Sequence, residues 1–146
     1  MDKKTKVIFL CTGNSARSQM AEAFLRAYAG DKFEVFSAGF EPRPIHPLTR
    51  KVMGEIGFDL AGHKAKPLKK FLGRVHFGII ITVCRNAEKL CPTLPGVSTR
   101  LFWDLEDPAA FEGSPEEKLE KFREIRDTVD SKIRSFLESR KIPVND

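Results

Sequence analysis

The stretch that decides the fold is Cys11-Thr12-Gly13-Asn14-Ser15-Ala16-Arg17-Ser18. It directly follows an apolar, strand-like run at residues 5–10 and leads into a helical pattern at residues 17–29. A loop of small residues between a strand and a helix N-terminus surrounds an anion with backbone N–H groups, and the helix start adds favourable potential. The sequence therefore predicts an oxyanion-binding loop at residues 11–18 with a thiol at its first position.

Two side chains of this loop carry reactive chemistry. Arg17 offers an oxyanion a bidentate fork that is always charged. The same positive field lowers the pKa of a nearby thiol, so we expect Cys11 to be largely thiolate at neutral pH. The alternative is a buried structural cysteine beside a surface arginine, because free cysteine is among the most buried residue types. The strand before the loop and the helix after it favour a nucleophile.

The composition is that of an ordinary globular chain. It has 146 residues, of which 41% are hydrophobic and 31% are charged, and this predicts a single catalytic domain over residues 1–146. No apolar run is long enough to span a bilayer, and the N-terminus lacks a signal-peptide pattern. We therefore expect a cytoplasmic monomer with no membrane partner.

The charge is unevenly distributed along the chain. Residues 1–100 hold 17 Lys and Arg against 8 Asp and Glu, whereas residues 101–146 hold 8 against 12. The basic part contains the predicted loop, so long-range attraction of an oxyanion is expected. Nucleic acid is the competing partner at a pI near 9.2, but no recognition motif accompanies the lysines and we expect none. The basic cluster is interpreted as a solvated helix face and comprises Lys64, Lys66, Lys69 and Lys70.

Strand-like and helical patterns alternate along the chain. The predicted strands are residues 5–10, 33–38, 77–83 and 98–103, and the predicted helices are residues 17–29, 48–56, 67–72 and a long C-terminal helix that Ser114 caps. This alternation predicts a three-layer α/β/α fold around a four-stranded parallel sheet of order 2-1-3-4. Ligands of such sheets bind beyond the carboxyl ends of the strands.

Three chemically suggestive segments are expected at that end of the sheet. Cys11 follows strand one, Cys84 follows strand three, and Asp107 lies in the loop after strand four. Asp107 precedes Pro108 and is therefore held extended, where its carboxyl group can serve as a proton donor, although Asp-Pro is more often only a turn. The three histidines have no ligand spacing to the cysteines, so no metal site is expected.

Cys84 and Cys91 form a second constellation. If the segment between them is helical, seven residues advance about 10.5 Å, whereas a disulfide needs Cα atoms within about 7 Å. A bond between these thiols therefore requires the helix to unwind, and such a bond is labile. The alternative is two unrelated cysteines. An odd count of three thiols argues against a disulfide scaffold and for reactive cysteines.

These residues together resemble the thioredoxin-coupled arsenate reductases, which share the low-molecular-weight protein tyrosine phosphatase fold. The resemblance covers nearly the whole chain and rests on Cys11–Ser18, Ser37-Ala38-Gly39, Gly62-His63, Ile81-Thr82-Val83-Cys84, Cys91-Pro92, Pro95-Gly96, Trp103 and Asp107-Pro108-Ala109. The loop marks the fold family. The pair Cys84 and Cys91 separates the reductases from the phosphatases.

The resemblance implies reduction of arsenate to arsenite by a thiol relay. Cys11 attacks arsenic held by the amides of the loop, Cys84 attacks Cys11, and Cys91 attacks Cys84. Thioredoxin, or glutaredoxin in its place, then reduces the Cys84–Cys91 disulfide. No organic cofactor is implied, and phosphate or sulfate would compete with arsenate. The supporting loop residues implied are Thr12, Gly13, Asn14, Ser15, Ala16, Arg17 and Ser18, with Asn14 bracing the loop, Ser18 bonding the Cys11 sulfur and Asp107 protonating the departing oxygen.

Two departures from the family pattern matter. Phosphatases of this fold carry tyrosines after the Asp-Pro, and here Ala109 and Ala110 follow. Some reductases bind potassium, but a basic stretch at residues 64–66 stands where an acidic ligand is expected, so we expect no potassium. The alternatives are a phosphatase that uses Cys11, Arg17 and Asp107, and a non-enzymatic oxyanion-binding or redox-sensing module.

Overall fold

The elements of the fold follow the predicted alternation of strands and helices. The computed structural model describes residues 4–145, so the expectation for the extreme N-terminus lies outside the described residues at positions 1–3. The strands are β1 (Thr5–Cys11), β2 (Phe33–Gly39), β3 (Ile79–Thr82) and β4 (Thr99–Phe102), and the helices are α1 (Arg17–Ala29), α2 (Pro47–Gly54), α3 (Arg85–Leu90) and α4 (Pro115–Ser139), with 3₁₀ turns at Leu68–Lys70 and Pro108–Ala110.

The four strands form one parallel sheet of order β2-β1-β3-β4. This confirms the predicted fold class. β1 lies in the centre, where Leu10 is paired with Ala38 of β2 and with Thr82 of β3. The carboxyl ends of all four strands therefore meet at one edge, where Cys11 is the last residue of β1.

Side chains of β2 pack against other elements on both faces of the sheet. Phe33 packs against Phe136 of α4, with ring centroids 5.9 Å apart. Phe36 points to the opposite face, where it packs edge-on against Phe71 and Phe77 at 5.4 and 5.3 Å. β3 is buried along its whole length, as expected for a strand covered on both sides.

Several predicted elements are shorter in the structure, including β4 and α2, and the largest differences are at β3 and at the helix predicted for residues 67–72. β3 covers Ile79–Thr82 rather than residues 77–83, because Phe77 turns into the aromatic cluster on one face of the sheet. The helix predicted at residues 67–72 is a single 3₁₀ turn at Leu68–Lys70. Pro67 is extended there, with φ −79° and ψ 148°.

The C-terminal helix begins as the sequence predicts. Ser114 Oγ accepts from the backbone N–H of Glu117 at 3.1 Å, and the Ser114 N–H donates to the Glu117 carboxylate at 3.1 Å. This reciprocal cap satisfies two otherwise unpaired donors at the start of α4. No helix among residues 4–145 has the length and apolar character needed to cross a membrane.

Candidate active site

The loop between β1 and α1 turns its carbonyl oxygens outward. The oxygens of Thr12 and Gly13 accept from the N–H groups of Glu41 and Arg43, each at 2.9 Å, and Ser15 O accepts from the N–H of His46 at 3.1 Å. Because a peptide N–H points away from the neighbouring carbonyl across a planar bond, this bonding directs loop amides toward the Cys11 side.

Gly39 lets the loop sit directly on the end of β2. A Cβ atom at this position would lie 2.6 Å from Thr12 O and 2.9 Å from Asn14 N, both backbone atoms. No side chain fits into that space without moving the loop. At the other end of the loop Ala16 precedes α1 and provides no side-chain cap, so the N–H groups of the first helical turn remain directed at the pocket.

The Cys11 sulfur is held by two donors. The backbone N–H of Asn14 donates to Sγ at 3.0 Å, and the Ser18 hydroxyl lies 2.8 Å from Sγ. Burial raises the pKa of the Cys11 thiol, and the bond to Ser18, the charge of Arg17 and the Asn14 amide oppose that rise. This direction is opposite to the lowered pKa that the sequence predicts, and desolvation is its largest cause.

A chain of hydrogen bonds fixes the direction of the Ser18 proton. Ser37 donates to the buried Glu22 carboxylate, so its oxygen is free to accept. Asn14 Nδ2 donates to Ser37 Oγ at 2.9 Å and to Ser18 Oγ at 2.8 Å, which uses both of its protons. Ser18 accepts from Asn14 and so directs its own proton to Cys11 Sγ. These bonds are the ones by which Asn14 would brace the loop, as the resemblance implies. The backbone of Asn14 lies in the left-handed region, with φ 51°.

Arg17 and Asp107 lie close to each other beside the loop. Arg17 is 8% exposed, and its Nη1 donates to Leu105 O at 2.9 Å, which fixes the guanidinium. Its Nη2 lies 3.9 Å from Asp107 Oδ2. Asp107 Oδ1 accepts from the N–H of Ala109 at 3.0 Å, so this residue both starts the 3₁₀ turn and brings a half-exposed carboxylate close to Arg17.

Cys84 lies at the rim of the same loop. The backbone N–H of Val83 donates to Leu10 O at 2.8 Å, which aligns the ends of β1 and β3. Thr12 Oγ1, in the loop, lies 3.5 Å from Cys84 Sγ. The sheet therefore places Cys84 at the edge of the loop that begins with Cys11.

Cys91 lies at the other end of α3 and is buried. The helix is intact, because the Cys91 N–H donates to Ala87 O at 2.9 Å and the Cys84 sulfur accepts from the Ala87 N–H at 3.4 Å. All three cysteines are free thiols. An intact helix of this length keeps Cys84 and Cys91 about 10.5 Å apart along its axis, so the two must approach by unwinding.

One charged side chain ties α3 to the sheet. Arg100 of β4 donates to Glu88 Oε1 at 2.6 Å and to Cys91 O at 3.4 Å. Thr82 Oγ1 donates to Glu88 Oε2 at 2.5 Å. Only one residue of α3, Ala87, is buried. The helix is therefore held mainly by polar contacts, which cost less to break than a packed apolar face.

Glu22 is surrounded by basic side chains of this chain. Arg26 lies 2.7 Å, Lys66 3.7 Å and His63 3.8 Å from its carboxylate oxygens. A potassium ion does not fit this arrangement, because the Lys66 ammonium already approaches the carboxylate. The sequence predicts that Lys66 lies on a solvated helix face. This prediction is wrong, because the Lys66 ammonium lies 3.7 Å from the buried Glu22 carboxylate. Within residues 4–145, no group of three His, Cys, Asp or Glu side chains is arranged to hold a metal ion.

Sequence reasoning missed Gln19. Its Nε2 donates to Asn14 O at 3.1 Å and to Asn14 Oδ1 at 3.0 Å, and its Oε1 contacts His63 Nδ1 at 3.0 Å. Gln19 is fully buried. The available signal was a pair of polar residues, Gln19 and Glu22, three positions apart and therefore on one face of the predicted helix.

The end of the parallel sheet carries a thiol, a loop of inward amides, a fixed arginine and a nearby carboxylate. Together these features define a class of protein. The model of the low molecular weight phosphotyrosine protein phosphatase family matches residues 6–142. The chain belongs to this family.

Several relatives within this family are named arsenate reductases. An arsenate reductase of Halalkalibacterium halodurans is 40% identical over 141 residues, which cover 97% of this chain and 100% of that protein. A solved arsenate reductase in the phosphate binding state is 30% identical, with a TM-score of 0.73 over 92% of this chain and 98% of the other. The thioredoxin-dependent arsenate reductase Cg_ArsC1' of Corynebacterium glutamicum is 31% identical, with a TM-score of 0.72 over 94% of this chain and 62% of that one.

Proposed function

We propose that this protein is a thioredoxin-coupled arsenate reductase that uses Cys11, Cys84 and Cys91 in sequence. The observation that carries the proposal is the contact between Thr12 Oγ1 and Cys84 Sγ at 3.5 Å, which puts a second thiol at the rim of the nucleophile's loop. A phosphatase of this fold has no use for that thiol. The arsenate reductase names of the relatives agree with this reading.

The first step is attack of the Cys11 thiolate on arsenic(V). The loop amides and the Arg17 guanidinium hold the arsenate oxygens, since both present N–H donors to an anion. A sulfur–arsenic bond forms and an arsenic–oxygen bond breaks. Asp107 gives a proton to the departing oxygen, which leaves as water. The Ser18 hydroxyl and Asn14 N–H, at 2.8 and 3.0 Å from Sγ, stabilise the thiolate before attack.

The second step transfers two electrons to arsenic. Cys84 attacks the Cys11 sulfur, the sulfur–arsenic bond breaks, and its electron pair stays on arsenic, which leaves as arsenite. A Cys11–Cys84 disulfide remains. Cys91 then attacks the Cys84 sulfur and releases the Cys11 thiolate, so the oxidation is carried to the Cys84–Cys91 pair. A thioredoxin dithiol reduces that disulfide and becomes a disulfide itself.

Turnover with arsenate, thioredoxin, thioredoxin reductase and NADPH tests the relay. We expect steady turnover for the wild type and none for Cys11→Ser, Cys84→Ser or Cys91→Ser. Hydrolysis of an aryl phosphate is the control for folding, because Cys11 is the only one of the three cysteines that it requires. Cys84→Ser and Cys91→Ser should keep whatever hydrolysis the wild type shows. Normal arsenate turnover by either variant would refute the relay.

The phosphatase alternative shares Cys11, Arg17 and Asp107 with the reductase. Arsenate and phosphate have nearly the same shape, so the loop accepts both, and we expect weak aryl phosphate hydrolysis as a side activity. Two alanines, Ala109 and Ala110, follow Asp-Pro and are exposed, so no aromatic wall for a tyrosine ring stands there. Phosphate and sulfate are expected to act as competitive inhibitors of arsenate reduction.

Location and assembly complete the proposal. We propose a cytoplasmic monomer that needs no organic cofactor and no potassium. Exchanging potassium for sodium at constant ionic strength should leave arsenate turnover unchanged, because Arg26 and Lys66 already neutralise Glu22. Sedimentation of the reduced protein should give the mass of a single chain of 16.5 kDa.

A further inference from the structure

We infer that Gln19 is a positioning residue for arsenate reduction. It fixes the side-chain amide of Asn14 in the orientation that directs the Ser18 proton to the Cys11 sulfur. This inference deepens the proposed function and rests on it, because it concerns the nucleophile of the first step. Gln19 lies on α1 and is fully buried, and its own amide bonds to Asn14 rather than to the sulfur.

A backbone donor identifies the oxygen of the Asn14 amide. The N–H of Lys66 lies 2.9 Å from one end of that amide. A backbone N–H can only donate, so the atom that it meets is Oδ1. The Nδ2 end therefore faces the other way, where it donates to Ser18 Oγ at 2.8 Å and to Ser37 Oγ at 2.9 Å. A rotated amide would offer the Ser18 hydroxyl a second acceptor, the amide oxygen, in competition with the sulfur.

Gln19 supplies a second donor to the same oxygen. Its Nε2 lies 3.0 Å from Asn14 Oδ1, 3.1 Å from Asn14 O and 3.0 Å from Lys64 O. Two of these three oxygens are backbone carbonyls, which only accept, so the end of Gln19 that meets them is the amide nitrogen. Its Oε1 then accepts from His63 Nδ1 at 3.0 Å, which places the imidazole proton on Nδ1. Main-chain groups thus fix the orientation of both amides.

The network around Gln19 is shielded from water. Asn14, Ser18, Gln19 and Ser37 are each 0% exposed, so their hydrogen bonds are stronger than bonds at the surface and cost more to lose. The charged and titratable side chains around the network and the sulfur are Arg17, Glu22, Arg26, His63, Lys66 and Asp107. None of these is replaced in Gln19→Met, which exchanges one neutral side chain for another.

The ionised sulfur of Cys11 is needed twice in the relay. It attacks arsenic in the first step, and it leaves as thiolate when Cys91 attacks Cys84. A hydrogen bond from Ser18 stabilises the ionised sulfur at both points. Loss of that bond raises the pKa of the thiol, so less thiolate is present near neutral pH.

Alkylation of Cys11 by iodoacetamide tests the inference without arsenate. Gln19→Met removes the donors and the acceptor of the amide but keeps an unbranched side chain. We expect alkylation near pH 7 to be slower than in the wild type by about three- to tenfold, the effect of one hydrogen bond. The pH at which alkylation accelerates should move upward. The two rates should converge at a pH where both thiols are ionised, which mass spectrometry of the Cys11 peptide measures.

A double-mutant comparison tests whether Gln19 acts through Ser18. In the Ser18→Ala background, Gln19→Met should have little further effect on the alkylation of Cys11, because the bond that Gln19 positions is already absent. Equal fold-changes in both backgrounds would mean that Gln19 acts independently of Ser18 and would refute the inference. An unchanged pH profile for Gln19→Met would also refute it. The matched control is Tyr28→Phe, which removes a hydrogen bond between α1 and Asp130 and should keep the wild-type profile.

A measurement on the wild type covers the case in which Gln19→Met does not fold. The side-chain amide protons of Asn14 should show strong nuclear Overhauser effects to the β-protons of Ser18 and Ser37. Strong effects to the Lys66 N–H proton instead, with none to the serines, would place the amide in the rotated orientation and refute the inference.

These outcomes are distinct from a failure of the proposed function. Alkylation of Cys11 involves neither arsenic nor a reductant. A wild type that does not turn over arsenate, with the coupling between Gln19 and Ser18 intact, would refute the proposed function and leave the role of Gln19 at the thiolate standing. Normal arsenate turnover without that coupling would refute only the positioning role.

Discussion

Ser18 is the residue on which the reactivity of the nucleophile depends most directly. Among residues 4–145 its oxygen accepts from Asn14 Nδ2, and its proton is therefore directed at Cys11 Sγ, 2.8 Å away. Asn14 is held in turn by the Glu22 carboxylate through Ser37. The Glu22 carboxylate, acting through Ser37 and Asn14, thus orients the Ser18 proton toward the Cys11 sulfur. Burial nevertheless raises the pKa of the Cys11 thiol.

Replacing Ser18 with alanine should raise the pKa of Cys11 further. A hydrogen bond to a charged group contributes about 1.5–3 kcal/mol, so near pH 7 alkylation of Cys11 by iodoacetamide should slow about tenfold or more. The pH at which alkylation accelerates should move upward. Mass spectrometry of the Cys11 peptide across a pH series measures this, and Ser98→Ala, at an exposed hydroxyl, is the control. An unchanged pH profile would mean that Ser18 does not donate to the thiolate.

At the scale of elements, α3 has to be stable enough to position Cys84 and weak enough to release Cys91. Its six residues are held by Glu88 and Arg100 rather than by a buried face. The first helical bond runs from the Glu88 N–H to Cys84 O at 3.1 Å, and the last runs from the Cys91 N–H to Ala87 O at 2.9 Å. Both have to break when the cysteines at the two ends of α3 bond to each other.

Oxidation should therefore expose the amides of α3. We expect faster deuterium uptake by residues 85–91 in the Cys84–Cys91 disulfide form than in the reduced form, because about 10.5 Å of helix cannot span the bond. Hydrogen exchange with mass spectrometry measures the difference. The Cys91→Ser variant, exposed to the same oxidant, should show no change. Equal uptake by both redox forms of the wild type would argue against unwinding.

The packing of α2 against α4 is reinforced by an ion pair that depends on pH. Glu55 accepts from Arg123 at 2.6 Å and from Arg126 at 2.9 Å. These bonds lower the pKa of Glu55 from 4.5 to about 2. Because the folded pKa is lower than the unfolded one, the stabilisation is complete above about pH 4.5 and is lost as the pH falls toward 2.

Glu55→Gln should consequently destabilise the protein at neutral pH. The loss of stability relative to the wild type should become smaller in acid. The difference in free energy of unfolding between wild type and variant should be constant from about pH 5 upward and decline below it. Urea unfolding at several pH values measures this difference. Glu112→Gln, at an exposed side chain outside the helices, is the control. A difference that does not change with pH would mean that the two arginines do not stabilise the Glu55 carboxylate.

The whole molecule combines a basic sheet region with an acidic C-terminal helix region. The active-site loop lies in residues 1–100, which carry the excess of Lys and Arg, while residues 101–146 have the excess of Asp and Glu. An excess of positive charge in the part of the chain that carries the loop favours attraction of anions over distances beyond contact. The arsenate anion would experience this field.

Salt should weaken this attraction. Raising the ionic strength from about 0.01 M to about 0.15 M with chloride shortens the Debye length from about 30 Å to about 8 Å. We expect kcat/KM for arsenate to fall severalfold while kcat at saturating arsenate stays nearly constant, because salt screens encounter and not the chemical step. Initial rates with dithiothreitol as reductant avoid salt effects on thioredoxin docking. An unchanged kcat/KM would show that the uneven charge does not guide arsenate.

The sequence by itself determined the fold class and the main reactive residues. The alternation of short apolar runs with helical periodicity was sufficient for a parallel sheet of order 2-1-3-4, because right-handed crossovers leave few other arrangements. The strand-like run before residues 11–18 and the helical pattern after them were sufficient to predict an oxyanion-binding loop there. The extent of β3 and of the 3₁₀ turn near Leu68 was not predictable, since these depend on how Phe36, Phe71 and Phe77 pack together.

Only the tertiary structure decided how the reactive groups act on one another. Proton direction at Ser18 depends on Glu22 and Ser37, which come from different elements and meet only in the folded chain. The pKa of Cys11 depends on how completely the loop is buried, a quantity that no local pattern contains. Residue types and spacing therefore specify which groups are available, while desolvation and donor–acceptor pairing, which require the whole packed molecule, specify their states.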